Sequence, residues 1–300
     1  MILPPYLHSG DVIGIVAPAR KISATELKPA IEFLEMNGFR VALGKNIFEK
    51  DNQFAGTDEQ RAADFQTFLD DPDIKAVLCA RGGYGSVRII DRLDFSGFVR
   101  SPKWICGYSD VTVFHSHLHQ LGYATLHSTM PINIKEEDFY SPNNTSFIRG
   151  LTGKSLAYTV PTQPMDRTGE VTAPIVGGNL SILYSLLASG SDINTDGKIL
   201  FIEDLDEYLY HIDRMMMALK RSGKLANLAG LLVGGMSDMN DNAIPFGHTA
   251  EEIIARVTEE YSYPVCYGFP AGHIEDNLAL RLGTEATLVV DDKKSTLLFQ

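Results

Sequence analysis

Cysteine is scarce in this sequence: three residues in 300, at Cys79, Cys106 and Cys266. The number is odd and no Cys-x-x-Cys occurs, which argues against a disulfide framework and against a thiolate zinc site. Reduced thiols in a cytoplasmic protein are the simpler reading. Basic residues are the minority, 26 Lys and Arg against 38 Asp and Glu, for a net charge of −12. Such a field repels nucleic acid and anionic lipid, and no compact Lys/Arg cluster offsets it. Long hydrophobic runs are missing too. No stretch approaches the roughly 18 apolar residues of a membrane span. The start, "MILPPYLHSGDVIGIVAPA", lacks the basic segment and long apolar core of a signal peptide. Nucleic acid and membrane are therefore excluded as expected partners. No internal repeat or low-complexity tract occurs.

What is present is an alternation of short β-rich runs and amphipathic helices. "DVIGIVAPA" (11–19), "FRVAL" (39–43), "IKAVLCA" (74–80), "KWICG" (103–107) and "YATLHS" (123–128) read as strands. Ser23 with Glu26, and Thr57 with Gln60, form capping boxes at the starts of two intervening helices. This spacing predicts a parallel sheet with helices on both faces. Polar, Pro- and Thr-containing sequence follows, and residues 156–174 read as a linker between a domain of 1–155 and a domain of 175–300. The second domain mixes strands such as "KILFIED" (198–204) and "LAGLLVGG" with helices such as "EYLYHIDRMMMALKRSG". Its last forty or so residues are strand-like.

The chemistry concentrates at strand ends. In "GYSD" (107–110), Ser109 stands where the fourth strand turns into a helix. There it is either an N-cap or a nucleophile at the carboxyl end of a parallel strand, where open α/β sheets bind ligands. In the second case the Asp110 N–H points to where an oxyanion forms. The strong G-x-S-x-G signature is absent. "ARGGYGS" (80–86) ends the preceding strand, and its glycines allow close backbone approach and N–H donation to an anion. It matches neither common nucleotide-binding pattern, so a flexible turn stays open beside a binding role. Both loops fall on one rim, so Gly83 N–H can complete an oxyanion hole with Asp110. Arg81 and Tyr84 of the same loop are the candidate substrate contacts.

A serine needs a base, and a histidine base needs a carboxylate to orient it. His115, His117 and His119 form H-x-H-x-H, read either as a metal-binding helix face or as an ordinary polar face. His127 reads as core or rim, His211 as surface or packing, and His248 as part of a helix start. His273 differs, because "YGFPAGH" is a Gly- and Pro-punctuated loop of the kind that presents side chains. Glu203 ends the apolar strand "KILFIED" and either caps the next helix or reaches into a cleft.

Taken in order, "GDVIGIVAPA", "ARGGYGS", "GYSDVT", "IVGGNLSIL", "LFIEDLDEYLYHIDRMM" and "GFPAGH" resemble the LD-carboxypeptidase family of serine peptidases, which includes the microcin C immunity proteins. The likeness covers essentially the whole chain. It implies a flavodoxin-like N-terminal domain with a parallel sheet, joined to a smaller C-terminal domain of mixed α/β structure. It implies a triad of Ser109, His273 and Glu203, with Gly83 and Asp110 N–H as the oxyanion hole, and no metal or other cofactor. The implied substrate is the murein tetrapeptide, cut before its terminal D-alanine in the cytoplasm by a homodimer. Two rivals remain: an immunity-type hydrolase of a peptidyl or aminoacyl nucleotide amide, and a non-catalytic small-ligand binding protein with Ser109 as a cap.

Overall fold

A computed structural model describes residues 1–299. Its first sheet contains β1 (Val12–Val16), β2 (Arg40–Leu43), β3 (Ile74–Cys79), β4 (Trp104–Gly107) and β5 (Thr125–His127), all parallel, in the order β2-β1-β3-β4-β5. That order is flavodoxin-like, and its direction of winding reverses between β1 and β3. Helices α1 (Ala24–Met36), α2 (Asp58–Asp70), α3 (Ser96–Arg100), α4 (Thr112–Gln120) and α5 (Pro142–Leu151) cover it. Both capping boxes form, from Ser23 and Glu26 and from Thr57 and Gln60.

The pleat sorts the core into two faces. Ile13, Ile15, Leu78 and Trp104 pack with Leu27 and Phe33 of α1 and Phe147 of α5. Val16, Val77 and Ile105 pack on the other side with Phe65 and Phe68 of α2 and Phe114 of α4. Strands buried on both faces read as continuous apolar runs, which is why β1, β3, β4 and β5 were legible in the sequence; β2 is a part-exposed edge strand.

The second sheet takes β6 (Ala157–Pro161), β7 (Gly169–Asn179), β8 (Ile199–Leu205), β9 (Gly230–Ser237), β10 (Val265–Cys266), β12 (Glu285–Val290) and β13 (Lys294–Phe299), in the order β10-β9-β8-β7-β12-β13-β6. Strands β7 to β10 are parallel, while β12, β13 and β6 extend the sheet antiparallel from β7. Helices α6 (Leu180–Ser185), α7 (Leu209–Arg221) and α8 (Ala250–Val257) pack on one face through Leu183, Ile212, Met215 and Ile254.

Two features depart from the sequence reading. Residues 156–174 are not a free crossing: they carry β6 and the first half of β7, hydrogen-bonded to β13 and β12. And β11 (Leu280–Leu282) leaves the second unit to pair antiparallel with β5, Leu280 opposite His127, as an edge strand of the first sheet. The last part of the chain therefore stitches the two sheets together beside the site.

All three cysteines are buried. Desolvation pushes their thiols up, that of Cys266 to about 12. Thiolates are the reactive species, so the native protein is expected to leave a thiol-disulfide reagent unconsumed over an hour or so and to titrate three thiols only after unfolding in guanidinium. Rapid native labelling would contradict this packing.

Candidate active site

After β4 the chain turns through Tyr108 into Ser109, which begins a short 3-10 turn (Ser109–Val111) running into α4. Ser109 has φ of +64°. A left-handed conformation costs a residue with a Cβ about 1–2 kcal/mol. The nucleophile elbow of hydrolases carries the same kind of strain at a strand-to-helix turn, and this turn has it without the G-x-S-x-G sequence. The hydroxyl caps nothing: neither the 3-10 turn nor α4 has a side-chain cap hydrogen bond. A capping serine needs extended backbone, which rules out that reading of Ser109.

The glycine loop lies directly against the serine. A Cβ on Gly82 would stand 2.9 Å from Ser109 Cβ and 3.1 Å from its Oγ. The Asp110 carboxylate accepts the Ser86 N–H at 2.8 Å and so ties the end of that loop to the serine turn. Burial raises the Asp110 pKa, against the opposing effect of the Ser86 and Gly85 bonds. Arg61, 2% exposed, donates to Gly85 O at 3.1 Å and also to Pro18 O. Its guanidinium clamps the loops after β1 and β3 together.

Glu203 lies near the end of β8, 0% exposed. Its Oε2 meets His273 Nδ1 at 2.7 Å and accepts the His273 backbone N–H at 3.1 Å. Ser237 Oγ donates to the His273 carbonyl at 2.7 Å. Asn277 Oδ1 accepts Gly272 N–H at 2.8 Å and contacts His127 Nε2 at 2.8 Å, fixing the turn that carries His273. Burial works to lower the His273 pKa. The Glu203 hydrogen bond and the charges of Glu203 and Asp204 outweigh it, and the pKa is raised. Asp204 points to the other face of β8, where Asn179 Nδ2 and Ser181 N–H bind it. Burial first, then the Glu203 charge, push it up to about 7.

Ser109 and His273 line one cleft of about 490 Å³, together with Gly82 and Gly83. The second sheet is held against the Ser109 turn by a hydrogen bond from Asn179 N–H to Thr112 Oγ1 at 3.0 Å. A separate hollow of about 360 Å³ beside α5 and β6 contains none of the candidate residues.

Of the expected substrate contacts, Arg81 lines the cleft but pairs with Glu26 at 3.7 Å. Tyr84 is not among the lining residues, and its ring packs 6.2 Å from that of Phe54. Of the histidine run, His115 and His119 belong to the core, while half-buried His117 meets Ser191 Oγ through Nδ1 at 2.9 Å. His115 Nε2 meets Gly107 O at 2.9 Å and His119 Nε2 meets Thr125 Oγ1 at 3.1 Å. Burial pushes His115 down to about 3 and His119 well below its usual value, so both stay neutral. Among the described residues no cluster of His, Cys, Asp or Glu is arranged to hold a metal ion. His211 pairs with Glu207 at 2.6 Å and His248 with Glu252 at 3.4 Å.

Sequence reasoning passed over Arg20, Asp206, Ser237 and Asn277. Arg20 and Asp206 had an available signal: each follows a strand whose carboxyl end faces the cleft, "APAR" and "IEDLD". Ser237 and Asn277 had none, because their roles depend on contacts across the fold.

Comparison with known proteins places the chain in a family. Residues 13–128 match the LD-carboxypeptidase N-terminal domain and residues 172–288 the LD-carboxypeptidase C-terminal domain. A probable murein peptide carboxypeptidase of Bacillus subtilis is 36% identical over 98% of this chain and 93% of its own length. The microcin C7 self-immunity protein of Escherichia coli is 26% identical over 99% of this chain and 95% of its own. The crystal structure of muramoyltetrapeptide carboxypeptidase from Oxalobacter formigenes superposes with a TM-score of 0.88 at 27% identity, covering 96% of this chain and 98% of that one. The chain belongs to the LD-carboxypeptidase family and is a serine-type carboxypeptidase. That sets aside the non-catalytic binding protein. No helix among the described residues is long and apolar enough to cross a membrane.

Proposed function

We propose that this carboxypeptidase releases the terminal D-alanine of murein tetrapeptides through a Ser109–His273–Glu203 triad, as a cytoplasmic homodimer serving cell-wall recycling. The first unit, residues 1–155, supplies the nucleophile; the second, 175–300, supplies the base and its carboxylate. With Nδ1 held by Glu203, Nε2 of His273 is the nitrogen that takes the Ser109 proton. Ser109 Oγ attacks the carbonyl carbon of the diamino-acid residue. The oxyanion accepts the N–H groups of Gly83 and Asp110; one such donor is worth on the order of 10²–10³ in kcat in comparable sites. The tetrahedral intermediate collapses, the amine of D-alanine leaves with the proton from His273, and water then releases the acyl group from Ser109. Glu203 stays ionised and stabilises the imidazolium.

The observation that supports this reading most is the 2.7 Å contact of a fully buried Glu203 with His273, in a cleft also lined by a left-handed Ser109. The test is incubation with purified murein tetrapeptide and assay of free D-alanine. Release by the wild type and not by His273→Ala is the expected result. The likeness to the microcin self-immunity protein favours a second reading with the same triad, hydrolysis of a peptidyl or aminoacyl nucleotide amide. Run in parallel, such a nucleotide is expected to be the poorer substrate by kcat/KM; the reverse order would select the second reading.

A further inference from the structure

The charged groups lining the cleft are unequally engaged. Arg81 pairs with Glu26. Asp206 accepts Asn240 Nδ2 at 2.8 Å, and Glu207 holds His211. Arg20 also lines the cleft, yet among the described residues its guanidinium has no carboxylate within ion-pair distance. Its backbone is nevertheless fixed: Arg20 N–H donates to Gly82 O at 3.4 Å, and Arg20 forms a β-bridge with Phe54. Its side chain lies over the glycine loop. A Cβ on Gly83 would fall 2.4 Å from Arg20 Cδ and 3.3 Å from Nε. An otherwise unpaired cation is therefore held beside the backbone that would receive the oxyanion, at the β1/β3 reversal where ligands bind in this fold.

We propose that Arg20 reads the free C-terminal carboxylate of the substrate and so makes the enzyme cut only the last peptide bond. This deepens the proposed function and rests on it. In a carboxypeptidase substrate the terminal carboxylate lies within one residue of the scissile carbonyl, about 3.8 Å between Cα atoms. A cation stacked on Gly83 is at the right range for it, and a guanidinium suits a planar carboxylate better than an ammonium does. The same cation acts a second time in the reaction. As the oxyanion forms, two negative charges come within a few ångströms of each other, and Arg20 offsets their repulsion. Its loss therefore affects both KM and kcat. Arg20 also answers how a chain of net charge −12 admits an anionic peptide, a role the sequence suggested for Arg81.

The experiment compares the murein tetrapeptide with its C-terminal amide. The wild type is expected to prefer the free acid strongly. Arg20→Ala should lose roughly 10- to 100-fold in kcat/KM on the acid and little on the amide, so the preference collapses. Arg20→Lys should restore part of it. Circular dichroism and a urea midpoint matching the wild type establish that each variant is folded; Arg20 is exposed, so both are expected to match. An acid-to-amide ratio unchanged in Arg20→Ala overturns this inference and leaves the proposed function standing. A wild type that releases no D-alanine overturns both.

Discussion

Ser109→Ala is expected to lower kcat for D-alanine release by about 10⁶-fold, the size of effect seen when a triad nucleophile is removed from a serine protease. It should also abolish labelling by a fluorophosphonate. The loss would be purely chemical. The hydroxyl caps no helix and makes no structural hydrogen bond in the turn, so the urea midpoint should stay within the small range of a neutral substitution, about 0.5 kcal/mol. Ser109→Gly sharpens the test. At φ of +64° a glycine relieves strain that serine and alanine both bear. That variant should be as inactive as Ser109→Ala and more stable by about 1 kcal/mol. Destabilisation by the glycine, or more than a per cent of activity surviving in either variant, would sink the assignment of Ser109.

Glu203→Gln should lower kcat by about 10⁴-fold, because an amide cannot hold the imidazole in the productive tautomer or balance its charge. The pH profile should move as well. A general base acts as neutral imidazole, so kcat/KM in the wild type falls as pH drops through the His273 pKa. That pKa is raised above the usual value of about 6.5. Burial opposes the rise, while the Glu203 hydrogen bond and the Glu203 and Asp204 charges produce it. Glutamine removes the Glu203 charge and leaves the burial, so the acid limb of the residual activity shifts to lower pH. The check is kcat/KM measured between about pH 5 and 9 for both proteins. An acid limb that stays in place, or moves up, would show that Glu203 does not control His273.

Much of this architecture was legible because its causes are local. Ser23 with Glu26 and Thr57 with Gln60 set helix starts through bonds spanning a few residues. β1, β3, β4 and β5 are largely buried on both faces and so announce themselves as apolar runs. The first half of β7 was read as linker because its stretch is polar and carries Pro174. It is a strand only because β8 and β12 flank it and supply its hydrogen bonds. β11 has three residues and little pattern of its own; its pairing with β5 joins segments about 150 residues apart. The histidine run shows the converse failure. Spacing put His115 and His119 on one helix face, but burial against Gly107 and Thr125 decided that they serve the core.

The sequence by itself determined the alternating α/β character, the absence of a disulfide or basic-surface strategy, and which serine, glutamate and histidine stand at strand ends or in presenting loops. Those are matters of composition and of hydrogen bonds within a turn or two. Only the tertiary structure decided that Glu203 and His273, seventy residues apart, meet at 2.7 Å. It alone showed that Ser109 sits in a left-handed turn and caps no helix, and that Arg81 pairs with Glu26 while Arg20 has no carboxylate partner among the described residues. The reason is physical: a side chain's chemistry depends on who desolvates it, who bonds it and which neighbour leaves it free, and those neighbours come from strands that the sheet brings together and the chain order does not.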